Sequence, residues 1–132
     1  MYFKDFDQWN RVKKHTDSEP EQGGIVRAGE IRWAILGVNV GSEIDGKGHA
    51  FTRPVLILHV VGKNLALIVP LSTKLKETAG YESFVWRSRE VSLCVHQMKV
   101  ISQKRLLRRQ GKISSKRLND VRAKILKFFS LA

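Results

Sequence analysis

Residues 52–58 read Thr52-Arg53-Pro54-Val55-Leu56-Ile57-Leu58, and residues 67–73 read Leu67-Ile68-Val69-Pro70-Leu71-Ser72-Thr73. Each segment joins a continuous apolar run to a small polar group, and short runs of this kind are typical of buried strands. The two segments therefore predict neighbouring strands, with an arginine at the start of one and hydroxyls at the end of the other. A guanidinium and a hydroxyl both bind phosphate well, so the pair also indicates a phosphate-bearing ligand.

The chain is strongly basic, with 24 Lys and Arg against 12 Asp and Glu and a formal charge of +12 in 132 residues. Residues 87–127 contain 13 basic and 2 acidic residues, and the remainder of the chain contains 11 and 10. Nearly all the excess charge therefore lies in the last third. It predicts an anionic partner such as RNA, DNA, an acidic protein or a membrane surface, and the alternative is a solvated basic face without a ligand.

Size and cysteine usage limit the class of protein. The chain is long enough for one domain with a core of its own, and Cys94 is its single cysteine, which excludes an internal disulfide and a cysteine-rich metal site. The first residues lack the apolar segment of a secretory signal, and no apolar run approaches the roughly 18 residues that span a bilayer. We therefore expect a cytoplasmic protein that does not enter a membrane.

The N-terminal 24 residues are predicted to stand apart from the rest. Aromatic residues spaced by three predict an amphipathic helix over residues 3–15, and the polar stretch from Thr16 to Gly24 is typical of a linker. We therefore divide the chain into an N-terminal helix with linker, residues 1–24, and a barrel domain with a C-terminal helix, residues 25–132.

The middle of the chain is predicted as short strands separated by Gly-rich turns, a pattern typical of a small barrel or strongly bent sheet. The predicted strands are 31–38, 55–61, 65–71, 84–86, 91–95 and 99–101. Residues 41–52 are predicted to form a long binding loop.

Two helices are predicted after the strands. Ser102 is expected to cap a short helix that runs to Arg109, and Ser114 or Ser115 to cap a second one. In the second helix an apolar stripe, made of Leu118, Val121, Ile125 and Phe128, predicts a face packed on the core.

The candidate chemical residues are an arginine, two hydroxyls, two carboxylates and two imidazoles. Pro54 restricts the backbone of Arg53 to an extended form, so the guanidinium is held at a rigid strand start where it can clamp a phosphate; the alternative is an ordinary surface arginine. Ser72 and Thr73 can bind a phosphoryl oxygen or simply cap a turn. Candidate bases are Glu30, Glu43, His49 and His96. No nucleotide-binding or metal-ligand motif is present, so neither a cofactor nor a metal is expected.

Several motifs then follow one another in the order found in a known family. They are Gly29-Glu30-Ile31-Arg32-Trp33, Gly41-Ser42-Glu43, Arg53-Pro54-Val55-Leu56-Ile57, Val69-Pro70-Leu71-Ser72-Thr73, Gln97-Met98-Lys99 and Gly111-Lys112-Ile113-Ser114. From about Ala28 to Phe129, the chain resembles the MazF/PemK family, the toxins of bacterial toxin–antitoxin pairs.

The resemblance implies a mainly β fold with α-helices: a small SH3-like barrel of the MazF, PemK and CcdB kind, with a C-terminal helix and here an extra N-terminal helix, assembled as a homodimer. It implies a metal-independent endoribonuclease that cuts single-stranded RNA at short sequences by attack of the 2′-hydroxyl, leaving 2′,3′-cyclic phosphate and 5′-hydroxyl ends. It also implies an acidic antitoxin protein as partner, lying in the RNA groove.

The resemblance also assigns roles. It makes Arg53 the transition-state stabiliser and a candidate general acid. It also places the family's threonine at Ser72, with Thr73 beside it, and the family's glutamate at Glu30. Residues expected to contact RNA are Ser42, Glu43, His49, Lys74, Lys76, Gln97 and Lys99.

The chain also departs from the family pattern. Some relatives carry Arg-x-Asp before the glutamine, whereas this chain has Cys94-Val95-His96. His96 therefore joins Glu30 and His49 as a candidate base, and the three remain open. Two other functions are also open: a non-catalytic CcdB-like gyrase poison, and a basic RNA-binding barrel.

Overall fold

The central strands and the last helix follow the apolar pattern of the sequence. A computed structural model describes residues 2–130, which contain the helices α1 (Phe6–Ser18) and α2 (Ser115–Phe129) and the strands β1 (Glu30–Ile35), β2 (Thr52–Val61), β3 (Leu65–Ser72), β4 (Tyr81–Trp86), β5 (Arg89–Cys94), β6 (Lys99–Ser102) and β7 (Leu106–Lys112). The pairings of these strands are all antiparallel. The predicted fold class, mainly β with α, is confirmed.

The sheet bends because β3 changes partner along its length. The strand order is β4-β5-β3-β2-β1-β7, and β6 also pairs with β3. The first half of β3 pairs with β6, and Leu71 and Ser72 at its end pair with β5. In the described residues β4 and β7 remain the end strands, so the sheet is not closed into the complete barrel that the resemblance implied.

The central strands β2 and β3 are buried on both faces, which explains their uninterrupted apolar sequence. Alternate residues such as Leu56 and Val69 pack in one cluster, and Val55 and Ile68 in another. The first cluster also takes up Leu118, Val121 and Ile125 of α2, as the stripe predicted. A rigid, doubly covered pair of strands therefore carries Arg53 at one end of β2 and Ser72 at the adjoining end of β3.

The helix predicted from Ser102 to Arg109 is wrong. Only Gln103–Arg105 form a 3-10 turn, capped by the Ser102 hydroxyl, and residues from Leu106 onward form β7. The long-range pairing of β7 with β1 outweighs the local helical tendency, since tertiary context readily overrides propensity.

The N-terminal helix begins later than predicted, because Asp5 caps it by accepting a hydrogen bond from Gln8 N at 2.9 Å. It also ends later than predicted, at Ser18. Thr16 and the two residues after it thus belong to α1 rather than to the linker. Neither helix of residues 2–130 is long and apolar enough to cross a bilayer.

Candidate functional site: a basic cleft at the strand ends

Arg53 is fixed at the start of β2 by two hydrogen bonds. Its Nε donates to the Asp45 carbonyl oxygen at 2.7 Å, and its Nη1 donates to the Leu71 carbonyl oxygen at 3.2 Å. These bonds tie the guanidinium to the preceding loop and to the end of β3. Within residues 2–130, Nη2 has no hydrogen-bond partner, so it keeps donors for a bound anion.

Arg53 is a half-buried cation. Burial lowers the pKa of Arg53 from its usual value, and nearby Cys94 and Asp45 act in the opposite direction. An arginine remains protonated at neutral pH under such a shift. Burial also raises the pKa of the Cys94 thiol, so the group beside Arg53 is neutral near pH 7.

A cleft of about 540 Å³ opens beside Arg53, and we call it the strand-end cleft. Ser72 and Thr73 line it together with Arg53, so the structure brings the predicted arginine and both hydroxyls into one site. The Ser72 hydroxyl accepts a hydrogen bond from Lys74 N at 3.2 Å, which is the turn-capping role, while Thr73 is exposed. Ser72 therefore caps the turn and lies beside Arg53 at the same time.

The opposite wall of the strand-end cleft comes from the β4–β5 hairpin, which the sequence did not single out. Arg87 and Ser88 at its tip have φ of 52° and 61°, a left-handed pair that matches the twist of a two-residue hairpin turn. Trp86, Arg87 and Arg89 line the cleft, and the Arg87 guanidinium lies 5.4 Å from the centre of the Trp86 ring. The cleft thus presents aromatic surface and cations, the combination that binds single-stranded nucleic acid.

A second cleft of about 620 Å³ adjoins the first, because Arg53, Lys47 and Gly48 line both. We call it the arm cleft, because the N-terminal residues form part of its wall. His49 and Lys74, two of the predicted RNA contacts, line the arm cleft. Arg53 therefore stands where two clefts meet.

Glu30 lies away from these clefts. Arg53 pairs with Ala34 across β1 and β2, and Glu30 is four residues along β1, about 13 Å at the usual rise of a strand. Its carboxylate is 2% exposed and accepts hydrogen bonds from Arg27 N at 2.9 Å and Arg32 Nε at 3.0 Å. Glu30 is thus placed to hold the fold.

Gln97 and Glu43 organise the long loop. Gln97 accepts a hydrogen bond from Ile44 N at 3.1 Å and donates to the Ser42 carbonyl oxygen at 2.9 Å. Glu43 accepts from Val40 N at 3.0 Å. Of these predicted RNA contacts, Gln97 and Glu43 hold the loop with their side chains, while Ser42 is exposed.

The remaining predicted residues lie near a second 3-10 turn, Val95–Gln97, which follows β5. His96 Nδ1 is 3.0 Å from the Gly80 carbonyl oxygen, and its ring centre lies 4.8 Å from that of Tyr81. Lys76 Nζ is 5.1 Å from the centre of the same Tyr81 ring. Burial, and then the charge of Arg105, lower the pKa of Lys99. None of His96, Lys76 and Lys99 lines either cleft within the part of the chain that the structure describes.

Residues 27–129 match the family model of the PemK-like, MazF-like toxins of type II toxin–antitoxin systems. Among solved structures, the chain is similar to an endoribonuclease in complex with its cognate antitoxin from a mycobacterial species. The TM-score is 0.58 at 12% sequence identity, over 82% of this chain and 98% of that chain, so the likeness concerns the fold. Among curated proteins no match was found.

Proposed function

Because the chain belongs to the family of PemK-like, MazF-like toxins of type II toxin–antitoxin systems, we propose that it is a metal-independent endoribonuclease of the mRNA interferase type, cutting single-stranded RNA at selected sequences. The observation that carries the proposal is the strand-end cleft, where Arg53 meets two hydroxyls and further cations. Two donors of Arg53 are hydrogen-bonded, and Nη2 has no partner among residues 2–130. That arrangement suits a phosphate on which negative charge grows during reaction.

The proposed reaction is an internal transesterification. The 2′-hydroxyl oxygen of one nucleotide attacks the neighbouring phosphorus while a base takes its proton. The bond from phosphorus to the 5′-oxygen breaks, and that oxygen gains a proton and leaves as a 5′-hydroxyl, with a 2′,3′-cyclic phosphate behind it. In this proposal Arg53 stabilises the charge on the phosphoryl oxygens, and Ser72 and Thr73 orient the phosphate.

The proposed base is His49. Of the three candidates, it lines a cleft that Arg53 also lines, whereas Glu30 is used in buried hydrogen bonds and His96 Nδ1 faces the Gly80 carbonyl oxygen. An imidazole is suited to take a proton near neutral pH.

We further propose a homodimer in the cytoplasm, with an acidic antitoxin as partner. Arg87, Arg89 and Lys47 line the strand-end cleft, and an acidic chain there would compete directly with RNA. The N-terminal residues 1–24 would be an addition to the barrel domain, residues 25–132.

The test of the proposed function is incubation of the purified protein with long single-stranded RNA in EDTA, followed by mapping of the ends. We expect discrete cuts with 2′,3′-cyclic phosphate and 5′-hydroxyl ends. A single 2′-deoxy substitution at the nucleotide before a cut should abolish that cut only, since it removes the attacking oxygen. Intact RNA across several sequences would refute the nuclease and favour a non-catalytic binding module.

Replacing His49 with glutamine is expected to lower the cleavage rate about 100-fold, at the low end of what a general base contributes. His59→Gln is the matched control. His59 is an exposed histidine on β2, and the buried residues 55–58 separate it from Arg53 along the strand. Full activity in His49→Gln, with a loss of about 100-fold in His96→Gln, would move the role to His96.

A further inference from the structure

The N-terminal arm, residues 2–5, is attached to the long loop by several polar contacts. The Tyr2 hydroxyl donates to Asp45 Oδ2 at 2.9 Å. Lys4 Nζ donates to the Asn39 carbonyl oxygen at 2.6 Å and to the Gly41 carbonyl oxygen at 2.9 Å, and it lies 3.6 Å from Asp45 Oδ2. Because Asp45 also holds Arg53 through its carbonyl oxygen, the arm is linked to the arginine by one residue.

Helix α1 holds the arm in place from the other side. Trp9 is buried among Val38 and Phe51, with its ring centre 5.7 Å from that of Phe51 in an edge-to-face pair. A Cβ on Gly37 would lie 2.2 Å from the Trp9 ring, so the indole lies tightly against the backbone there. The arm is therefore a fixed wall of the arm cleft.

This wall presents two aromatic rings to solvent. Tyr2 is 65% exposed and Phe3 is 78% exposed, and both line the arm cleft. Tyr2 is tethered by its hydroxyl, so its ring position is defined while much of its surface stays open. Large exposed rings held in a cleft are suited to stack on planar ligands.

In the arm cleft, the lysines are more available to a ligand than the carboxylates. Asp5 accepts from Gln8 N, and Asp45 accepts from Tyr2 and Asn39 N, so the acidic side chains are used within the protein. Lys47 and Lys74 are exposed, and within residues 2–130 neither has a carboxylate at ion-pair distance. The cleft thus offers cations for phosphates beside rings for bases.

We infer that the arm cleft is a nucleotide subsite, in which Phe3 and Tyr2 stack on an RNA base next to the phosphate held at Arg53. The inference rests on the proposed function, because it takes the reacting phosphate to lie at Arg53. Its physical basis is the meeting of the two clefts at Arg53, since a strand that crosses there must place a neighbouring nucleotide in the arm cleft. A volume of about 620 Å³ is in the range of small-ligand sites.

The experiment crosses a protein change with an RNA change. The RNA is a short cleavage-site oligonucleotide made uncleavable by 2′-O-methylation at the cut, with either an intact base or an abasic position on each side of the cut in turn. The protein is wild type or Phe3→Ala, tagged at the C-terminus so that the arm is unaltered. Dissociation constants are measured by fluorescence anisotropy at fixed salt.

We expect Phe3→Ala to weaken binding of the intact RNA about tenfold, within the range of single base–aromatic stacks, and to leave binding of one abasic RNA unchanged. Phe3→Trp should restore tight binding, because it restores a ring. Phe128→Ala is the matched control, since Phe128 is a similarly apolar ring, 36% exposed, on α2. Equal losses on intact RNA and on every abasic RNA, or no loss at all, would overturn the subsite.

Two further outcomes separate the sources of failure. If wild-type protein binds RNA without cutting it, the nuclease proposal fails. The subsite is then tested by comparing wild type with Phe3→Ala on oligonucleotides that each carry one abasic position, moved along the sequence. If Phe3→Ala leaves RNA binding unchanged but weakens binding of an acidic antitoxin peptide, the arm cleft is a protein contact and the nucleotide subsite is refuted.

Discussion

Replacing Arg53 with alanine is expected to lower the cleavage rate about 1,000-fold or more. Removal of one preorganised donor at a developing oxyanion typically costs about 10²–10³ in rate, and an arginine that neutralises phosphoryl charge contributes about 10³–10⁵. Arg53 combines both properties, since two of its donors are fixed by the Asp45 and Leu71 carbonyl oxygens, while Nη2 has no partner in the described residues 2–130. The fold should persist, because Arg53 lies outside the buried core.

The measurement is single-turnover cleavage of one mapped RNA site, with circular dichroism and thermal unfolding of each variant. Arg53→Lys keeps the charge and loses the fork, so it should recover only part of the rate. Lys63→Ala is the matched control, because it removes one positive charge from the turn between β2 and β3, at the other end of β2. Full activity in a folded Arg53→Ala protein would refute the assignment of the site.

The central strands and the last helix could be predicted because their signals are local. Val55–Leu58 are continuously apolar since both faces of β2 are covered, and Leu118, Val121 and Ile125 repeat at helical spacing on one face of α2. Strand β7 could not be predicted in this way. Its residues include Arg108 and Arg109 and lack an apolar alternation, so only pairing with β1, distant in sequence, makes them a strand.

The candidate site was predicted in part for the same reason. Arg53, Ser72 and Thr73 belong to recognisable segments at the ends of apolar strands, and the structure brings them together. Arg87 and Arg89 line the cleft because the sheet bends where β3 changes its pairing partner from β6 to β5. No local pattern reports such a bend, although the sequence Trp86-Arg87-Ser88-Arg89 in a basic segment was a usable signal.

The second large effect concerns Glu30, which the resemblance placed among the catalytic residues. In the structure its carboxylate lies 3.0 Å from Arg32 Nη2 and 3.6 Å from Arg109 Nη1, and we propose that it serves the fold. Arg32 is 3% exposed and also donates to the carbonyl oxygens of Gly23, Ile25 and Leu107. Glu30 thus neutralises the charge of Arg32, and Arg32 connects the linker and β7 to β1 through its hydrogen bonds.

Glu30→Ala is therefore expected to lower the free energy of unfolding by about 3–5 kcal/mol, because it leaves a buried guanidinium without its partner. Such a loss is a large share of the roughly 5–15 kcal/mol that stabilises a typical protein. Urea unfolding followed by circular dichroism gives the value. Glu82→Ala is the control, since Glu82 and Lys124 form an exposed pair at 3.9 Å and such pairs contribute about 0–1 kcal/mol.

A double-mutant cycle separates a structural Glu30 from a catalytic one. If the carboxylate serves Arg32, Glu30→Ala and Arg32→Ala together should cost clearly less than the sum of the single changes, because the double variant buries no unpaired charge. The isosteric Glu30→Gln should then cleave RNA at the wild-type rate per folded molecule. A stable Glu30→Gln protein with a rate lowered about 100-fold would instead make Glu30 part of the chemistry.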